Sequence, residues 1–306
     1  MNKIRSLAWA TVPALMAVGL QQYRQAVREI DGHLPGKPVL PGAVRSVPTV
    51  WGNASYRVVH GDPARTPLLL VHGWGRTGDS AWWPLIWETD RTLVVVDLPG
   101  HGRSRLNGRF SFYRAANAIE EVLAHTGIER PTLIGHSMGG AVALETVRQL
   151  GADRFSGLIL LASSAYWVRP RLWVTLAAAP VVMGPRSPVL IRRQRLELLE
   201  SPEDARRIVW EYESRPERRI LDDTARALRN LDARTWPSME LPPAMWLVTT
   251  RDGVIKPSHQ RISARHFGVP TVDIDAEHAA VTQAPGQVLD AIEAATAAWD
   301  PQHISA

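Results

Sequence analysis

Short β-rich runs recur along the chain at residues 56–59, 68–71, 93–97, 132–134, 158–161, 245–249 and 271–274. Several show none of the polar alternation of a half-exposed strand, which predicts strands buried on both faces of a parallel sheet. Stretches with helical spacing lie between them, at 114–126, 139–150, 258–267 and 285–299. This alternation predicts an α/β fold built on a doubly wound, mostly parallel sheet.

Two segments depart from the alternation. Residues 32–48 (GHLPGKPVLPGAVRSVP) hold four prolines and three glycines and read as a linker or extended lead-in, not as a packed element. Between the runs at 158–161 and 245–249 there is no strand pattern, only Trp- and Arg-rich, helix-like sequence broken by prolines. An excursion of that length predicts a helical cap inserted between two strands, lying over the carboxyl edge of the sheet where open α/β folds place their ligands. The expected organisation is an N-terminal apolar segment and lead-in at 1–50, a core from 51–164 and 242–306, and a cap at 165–241.

Composition narrows the chemistry. The 306 residues are 45% hydrophobic and 21% charged, ordinary globular usage that fits neither a disordered chain nor a polytopic membrane protein. The absence of cysteine excludes a disulfide framework, a thiol nucleophile and thiolate-bound zinc; no cofactor or metal is expected. The net charge is +5, but between 186 and 234 twelve arginines interleave with ten acidic residues, the pattern of ion-paired, solvated helix faces. With no basic run or recognition motif, a nucleic-acid partner is not expected. At the N-terminus Lys3 and Arg5 precede an uncharged stretch, residues 7–20 (LAWATVPALMAVGL), which is short for a spanning helix. Ala17-Val18-Gly19 suits a signal-peptide cleavage site. Three readings of residues 1–30 stay open: a cleaved signal for secretion, a peripheral membrane anchor, and a packed helix of a cytoplasmic protein.

The stretch PTLIGHSMGGAVALETV runs from apolar strand into helix through Gly135-His136-Ser137-Met138-Gly139, which fits G-x-S-x-G. Flanking glycines let the chain pack closely around a strained serine whose hydroxyl stands above the sheet edge, and the following helix N-terminus favours negative charge there. A serine hydroxyl needs a base, and the base needs an orienting acid. His278 and Asp252 each follow the carboxyl end of an expected strand and are the candidates; Asp275, Glu277 and Asp97 are less suitably placed. Oxyanion donors are expected from the backbone N–H of Met138 and from Trp74 in the loop His72-Gly73-Trp74-Gly75. Trp82, Trp83 and Trp87, after that loop, and Trp167, Trp173 and Trp210, in the cap, are candidate walls of an apolar substrate pocket.

These pieces, HGWG at 72–75, DLPGHGRS at 97–104, GHSMGG at 135–140, the Asp252 loop and His278, resemble the α/β-hydrolase family in the order nucleophile, acid, histidine. The likeness covers about 56–299, insertion included. It implies Ser137 as nucleophile, His278 as acid/base, Asp252 as orienting acid, and Trp74 and Met138 as oxyanion donors. Many members of the family have glycine three residues before the acid, where this chain has Thr249; Arg251 is expected to brace the carboxylate or engage substrate. A serine nucleophile points to acyl chemistry, hydrolysis of a carboxylic ester through an acyl-enzyme, while the tryptophans and the N-terminal apolar stretch suggest an apolar acyl group or a lipid. Thioesterase, lactonase, C–C hydrolase, perhydrolase and acyltransferase chemistry use the same triad, and a catalytically silent or lipid-binding hydrolase fold is the non-enzymatic alternative.

Overall fold

The computed structural model describes residues 39–167 and 216–299. All of these but Val39 fall in one compact unit, Leu40–Arg169 with Ser214–Ala306. Its centre is an eight-stranded sheet in the order β1-β2-β4-β3-β5-β6-β7-β8. The strands are β1 (Ala43–Thr49), β2 (Gly52–Val59), β3 (Leu68–Val71), β4 (Leu93–Asp97), β5 (Thr132–His136), β6 (Gly157–Leu161), β7 (Ala244–Thr249) and β8 (Thr271–Ile274). β1 and β2 are antiparallel to each other and β2 to β4, while β3 through β8 run parallel. The apolar runs of β3, β4, β5 and β6 are buried along their whole length, because helices cover both faces of a parallel sheet.

The helices are α1 (Gly78–Glu88), α2 (Phe112–Thr126), α3 (Met138–Leu150), α4 (Arg218–Arg229), α5 (Pro257–His266), α6 (Ala280–Gln283) and α7 (Pro285–Trp299). Ser111 caps α2 by accepting from the Arg114 N–H, and Gly127 ends it in the left-handed region at φ 67°. α3 is buried on nearly every side from Met138 to Val147, as befits the helix that follows the central strand. Among the described residues no helix is long and apolar enough to cross a membrane.

Two elements differ from the sequence reading. The lead-in at 32–48 contributes β1, which pairs from Ala43↔Val58 to Thr49↔Gly52. β1 is an edge strand with mostly exposed residues, so it has no buried face to print an alternation, and an edge tolerates Pro48 without a broken ladder. The sheet therefore begins before residue 51. Helix α1, which carries no amphipathic pattern, was not expected: eight of its eleven residues are buried and Pro84 lies inside it. Its start is defined by the reciprocal hydrogen bonds of Thr77 and Ser80, a capping box with serine in the acceptor's place.

Residues 1–38 and 168–215, which hold the apolar N-terminal stretch, most of the expected cap, Trp173 and Trp210, lie outside the described residues. The described part of the insertion contains α4 and a short turn at Ala233–Thr235. α4 shows the anticipated ion-paired face, with Arg218 beside Asp222 and Arg226 on Asp223.

Candidate active site

Ser137 stands between β5 and α3 at φ 55°, ψ −119°, a conformation that side-chain-bearing residues rarely adopt. The neighbours explain how it is held. A Cβ on Gly135 would sit 2.4 Å from the Gly139 carbonyl oxygen, and one on Gly139 would sit 2.3 Å from that of Val71. Only glycine at both flanks lets strand and helix meet this closely. The Ser137 N–H donates to the Leu161 carbonyl, and the Ser137 carbonyl accepts from Ser163 Oγ and the Gly140 N–H. The turn is thereby tied to β6 on one side and to its own helix on the other.

The carboxyl ends of three strands supply a continuous relay. Ser137 Oγ lies 2.9 Å from His278 Nε2, and His278 Nδ1 lies 2.8 Å from Asp252 Oδ2. An ionised carboxylate only accepts, so Nδ1 carries the ring proton and Nε2 presents its lone pair to the serine hydroxyl. Asp252 accepts four further hydrogen bonds: Oδ2 from Thr249 Oγ1 (2.9 Å) and Gln260 Nε2 (3.1 Å), Oδ1 from the N–H groups of Val254 (2.7 Å) and Ile255 (2.9 Å). Burial pushes its pKa up, yet the bond and charge of His278 and the donors at Ile255 and Thr249 outweigh burial and hold it below the usual carboxylate value.

Thr249, read from the sequence as a departure from the family pattern, thus supplies a hydroxyl donor to the acid. Arg251 does not brace the acid: it turns outward, with Nε 2.9 Å from Asp275 Oδ1 and Nη2 donating to the Asp275 carbonyl. Asp97, buried at the end of β4, accepts from the N–H groups of Gly78 and Arg103 and so fastens α1 and the 98–104 loop. Burial raises its pKa to about 6.

His136, expected only as the variable residue of the elbow, has a distinct task. Its Nε2–H donates to the His278 carbonyl at 2.8 Å, and the two rings lie 5.2 Å apart. Desolvation, followed by the charge of His278, lowers its pKa to about 3, so it serves as a neutral strut under the candidate base. Trp82 backs this strut edge-on at 6.4 Å and is fully buried. Trp82, offered by the sequence as a candidate pocket wall, is thus packed beneath the strut with no exposed surface. Trp83 and Trp167 are half-buried and Trp87 is exposed.

The loop after β3 approaches the same turn. A Cβ on Gly73 would lie 3.1 Å from both Ser137 Cβ and His136 Nδ1, so the backbone leading to Trp74 presses directly on the serine. His72 locks this loop, its Nδ1–H donating to the Gly73 carbonyl and its Nε2 accepting from the Leu98 N–H. Met138 opens α3, so its N–H has no partner one turn back and lies at the positive end of the helix. Among the described residues no group of three or more His, Asp or Glu is arranged to hold a metal ion.

A family model described as "Alpha/beta hydrolase family" matches residues 68–291. The chain belongs to this family. Among the relatives of this α/β hydrolase is the pimeloyl-[acyl-carrier protein] methyl ester esterase of Wigglesworthia glossinidia brevipalpis, 32% identical over 109 residues, which are 35% of this chain and 39% of the relative. The chain spans less than half the length of the first curated relatives it matches. Esterase RhEst1 from Rhodococcus sp. ECU1013 superposes with a TM-score of 0.67 at 20% identity, covering 84% of this chain and 99% of that one. A membrane phospholipase A described as a bacterial virulence factor gives 0.68 at 18% identity, over 97% and 99%. At such identities the two structures establish the α/β-hydrolase fold alone.

Proposed function

We propose that this α/β hydrolase is a serine esterase that cleaves a carboxylic ester of an apolar acyl group through an acyl-enzyme. The observation that carries the reading is the unbroken relay from Ser137 Oγ through His278 to Asp252, at a strained turn that aims the hydroxyl above the sheet edge. Ser137 Oγ attacks the ester carbonyl while His278 Nε2 takes its proton. The N–H groups of Trp74 and Met138 stabilise the oxyanion. Collapse of the tetrahedral adduct breaks the ester C–O bond, and His278 returns the proton to the departing alcohol. Water, deprotonated by the same nitrogen, then releases the acid and restores the serine. Asp252 orients His278 and stabilises the imidazolium that forms at each step.

The relative named as a methyl ester esterase favours ester over other acyl chemistry. The apolar stretch at residues 7–20 favours an ester drawn from a membrane surface. The test is fluorophosphonate labelling of wild type and Ser137→Ala, followed by turnover of nitrophenyl esters of increasing acyl length. Labelling lost in Ser137→Ala, with turnover that rises with chain length, supports the proposal. Wild type that takes no label removes the serine nucleophile, and labelled protein that turns over no ester moves the function toward acyl transfer. Co-sedimentation with vesicles that disappears on deleting residues 1–30 supports the membrane source.

A further inference from the structure

The side chain of Trp74 reaches α4. Its indole Nε1–H donates to Thr224 Oγ1 at 2.8 Å, with the Leu221 carbonyl a longer second acceptor at 3.3 Å. Thr224 is fully buried, and its own hydroxyl proton goes to the Ile220 carbonyl one turn back, at 2.7 Å. That donation fixes which way the hydroxyl faces: with its proton committed to the helix backbone, the oxygen lone pair is turned to the indole.

α4 is itself tied down at both ends. At its start Arg219 donates to the Gly108 and Leu106 carbonyls of the loop after β4. Beyond its end the Trp167 N–H donates to the Leu231 carbonyl and the Ala233 N–H to that of Ala165, which tie the helix exit to the segment leaving β6. The helix also packs on the two loops beside the serine. A Cβ on Gly100 would meet Ile220 Cδ1 at 2.6 Å, and one on Gly75 would meet Leu221 Cδ2 at 3.5 Å. The loop carrying the second oxyanion donor therefore has two kinds of support. His72 holds its base from within the sheet, and Thr224 holds its tip from the helix of the insertion.

We propose that Thr224 is a positioning residue for the oxyanion donor: through the Trp74 indole it fixes the peptide plane at Trp74, so that the α4 segment sets how well the site stabilises the oxyanion. This rests on the serine esterase reading above. The physical reason is that an oxyanion donor works by direction as well as distance, and a displacement of about 1 Å at a reacting centre can cost on the order of a hundredfold in rate. A tryptophan held at one end by Gly73 against the serine and at the other by a buried hydroxyl has little room to tilt. Freed from the hydroxyl, it can tilt without disturbing substrate binding, so the loss falls on kcat.

The experiment compares Thr224→Val, which removes the hydroxyl at nearly constant volume, with Trp74→Phe, the double variant and Thr224→Ser, in the full chain on the nitrophenyl ester that wild type cleaves fastest. Each single removal is expected to lower kcat about tenfold, a fraction of the hundredfold or more that loss of a whole oxyanion donor costs. KM should stay within about twofold, the double variant should be no slower than the worse single one, and Thr224→Ser should recover most of the rate. A trifluoromethyl ketone, whose hemiketal oxygen occupies the same place as the oxyanion, should bind more weakly in step with kcat.

An unchanged kcat in folded Thr224→Val, multiplying effects in the double variant, or Thr224→Ser no better than Thr224→Val would each overturn the coupling. Should Thr224→Val fail to fold, Trp74→Phe against Thr224→Ser with the ketone decides the matter by the same criteria. If wild type is labelled by a fluorophosphonate at Ser137 but cleaves no ester, the labelling rate replaces kcat. Wild type inert to both refutes the esterase reading and this coupling together, whereas an active wild type with unaffected variants refutes the coupling alone.

Discussion

The site is underlaid by buried neutral imidazoles, and this makes the fold sensitive to acid. His136 and His101 have pKa values lowered from 6.5 to about 3 and about 4, both mainly by desolvation, and His72 is lowered well below 6.5 for the same reason. In the unfolded chain each takes up a proton as pH falls through 6.5, whereas the folded form refuses it, so stability drops from that point until the folded pKa is reached. For His136 and His101 the loss relative to pH 8 is about 2 kcal/mol each at pH 5, and about 6 kcal/mol for the pair at pH 4. Asp97 works in the opposite sense. Its folded pKa of about 6 lies above the ordinary 3.8, so protonation favours the fold as pH falls through 6. It returns about 1.4 kcal/mol at pH 5 and about 2.4 kcal/mol at pH 4. Among these three groups the imidazoles win: their net loss is about 3 kcal/mol at pH 5 and about 4 kcal/mol at pH 4, against a usual margin of about 5–15 kcal/mol, and His72, Asp79 and Asp252, with lowered pKa values, act in the same direction. Urea unfolding followed by tryptophan fluorescence at pH 8, 6 and 5 measures the slope directly. His136→Asn should start less stable at pH 8, because the strut to the His278 carbonyl is lost, yet its fall between pH 8 and pH 5 should be smaller than that of wild type by about 2 kcal/mol. A wild-type fall under about 1 kcal/mol, or an identical fall in His136→Asn and His101→Gln, would refute the argument that these rings are held neutral by the fold.

Thr249→Val removes one of the donors on Asp252 and leaves a buried carboxylate lone pair unmet, which should destabilise the protein by about 1–3 kcal/mol and lower kcat on nitrophenyl esters; unchanged stability would show that Gln260 and the two backbone donors suffice. Arg251→Ala should leave kcat and KM within about twofold, since its guanidinium engages the exposed Asp275 and not the relay, and surface pairs of this kind contribute about 1 kcal/mol or less. Gly139→Ala should prevent soluble expression or cost more than about 3 kcal/mol by thermal melting, because its methyl would fall 2.3 Å from the Val71 carbonyl oxygen; a well-folded, active Gly139→Ala would show that the elbow can open.

Legibility of the sequence followed burial and spacing. Strands covered on both faces print as unbroken apolar runs, so β3 to β7 could be located within a residue or two, whereas β1 escaped because an edge strand facing solvent has no buried face to mark it. α1 escaped for the opposite reason, since a helix surrounded by protein on most sides loses its period. Ser137 was conspicuous because its backbone conformation demands glycine on both sides within the local sequence. Its supports were not. Thr249 registered only as a departure from the family pattern, and Gln260, Ser163 and Thr224 gave no signal at all, because each acts through a side-chain bond to a residue on a different segment.

That contrast bears on how the site is held. The relay members come from β5, the loop after β7 and the loop after β8, so their mutual distances are set by neighbouring strands of one sheet. The loop at 72–75, proposed to carry an oxyanion donor, is different, since His72 fixes its base from the sheet while its tip leans on α4. α4 belongs to the stretch between β6 and β7, and its place depends on hydrogen bonds to the loop after β4 and to the segment leaving β6. Substitutions that move α4 should therefore spare the Ser137–His278–Asp252 distances and alter oxyanion stabilisation instead. On the proposed esterase reading, proton transfer and charge stabilisation would then rest on separate supports, and variation in the insertion would tune the second without disassembling the first.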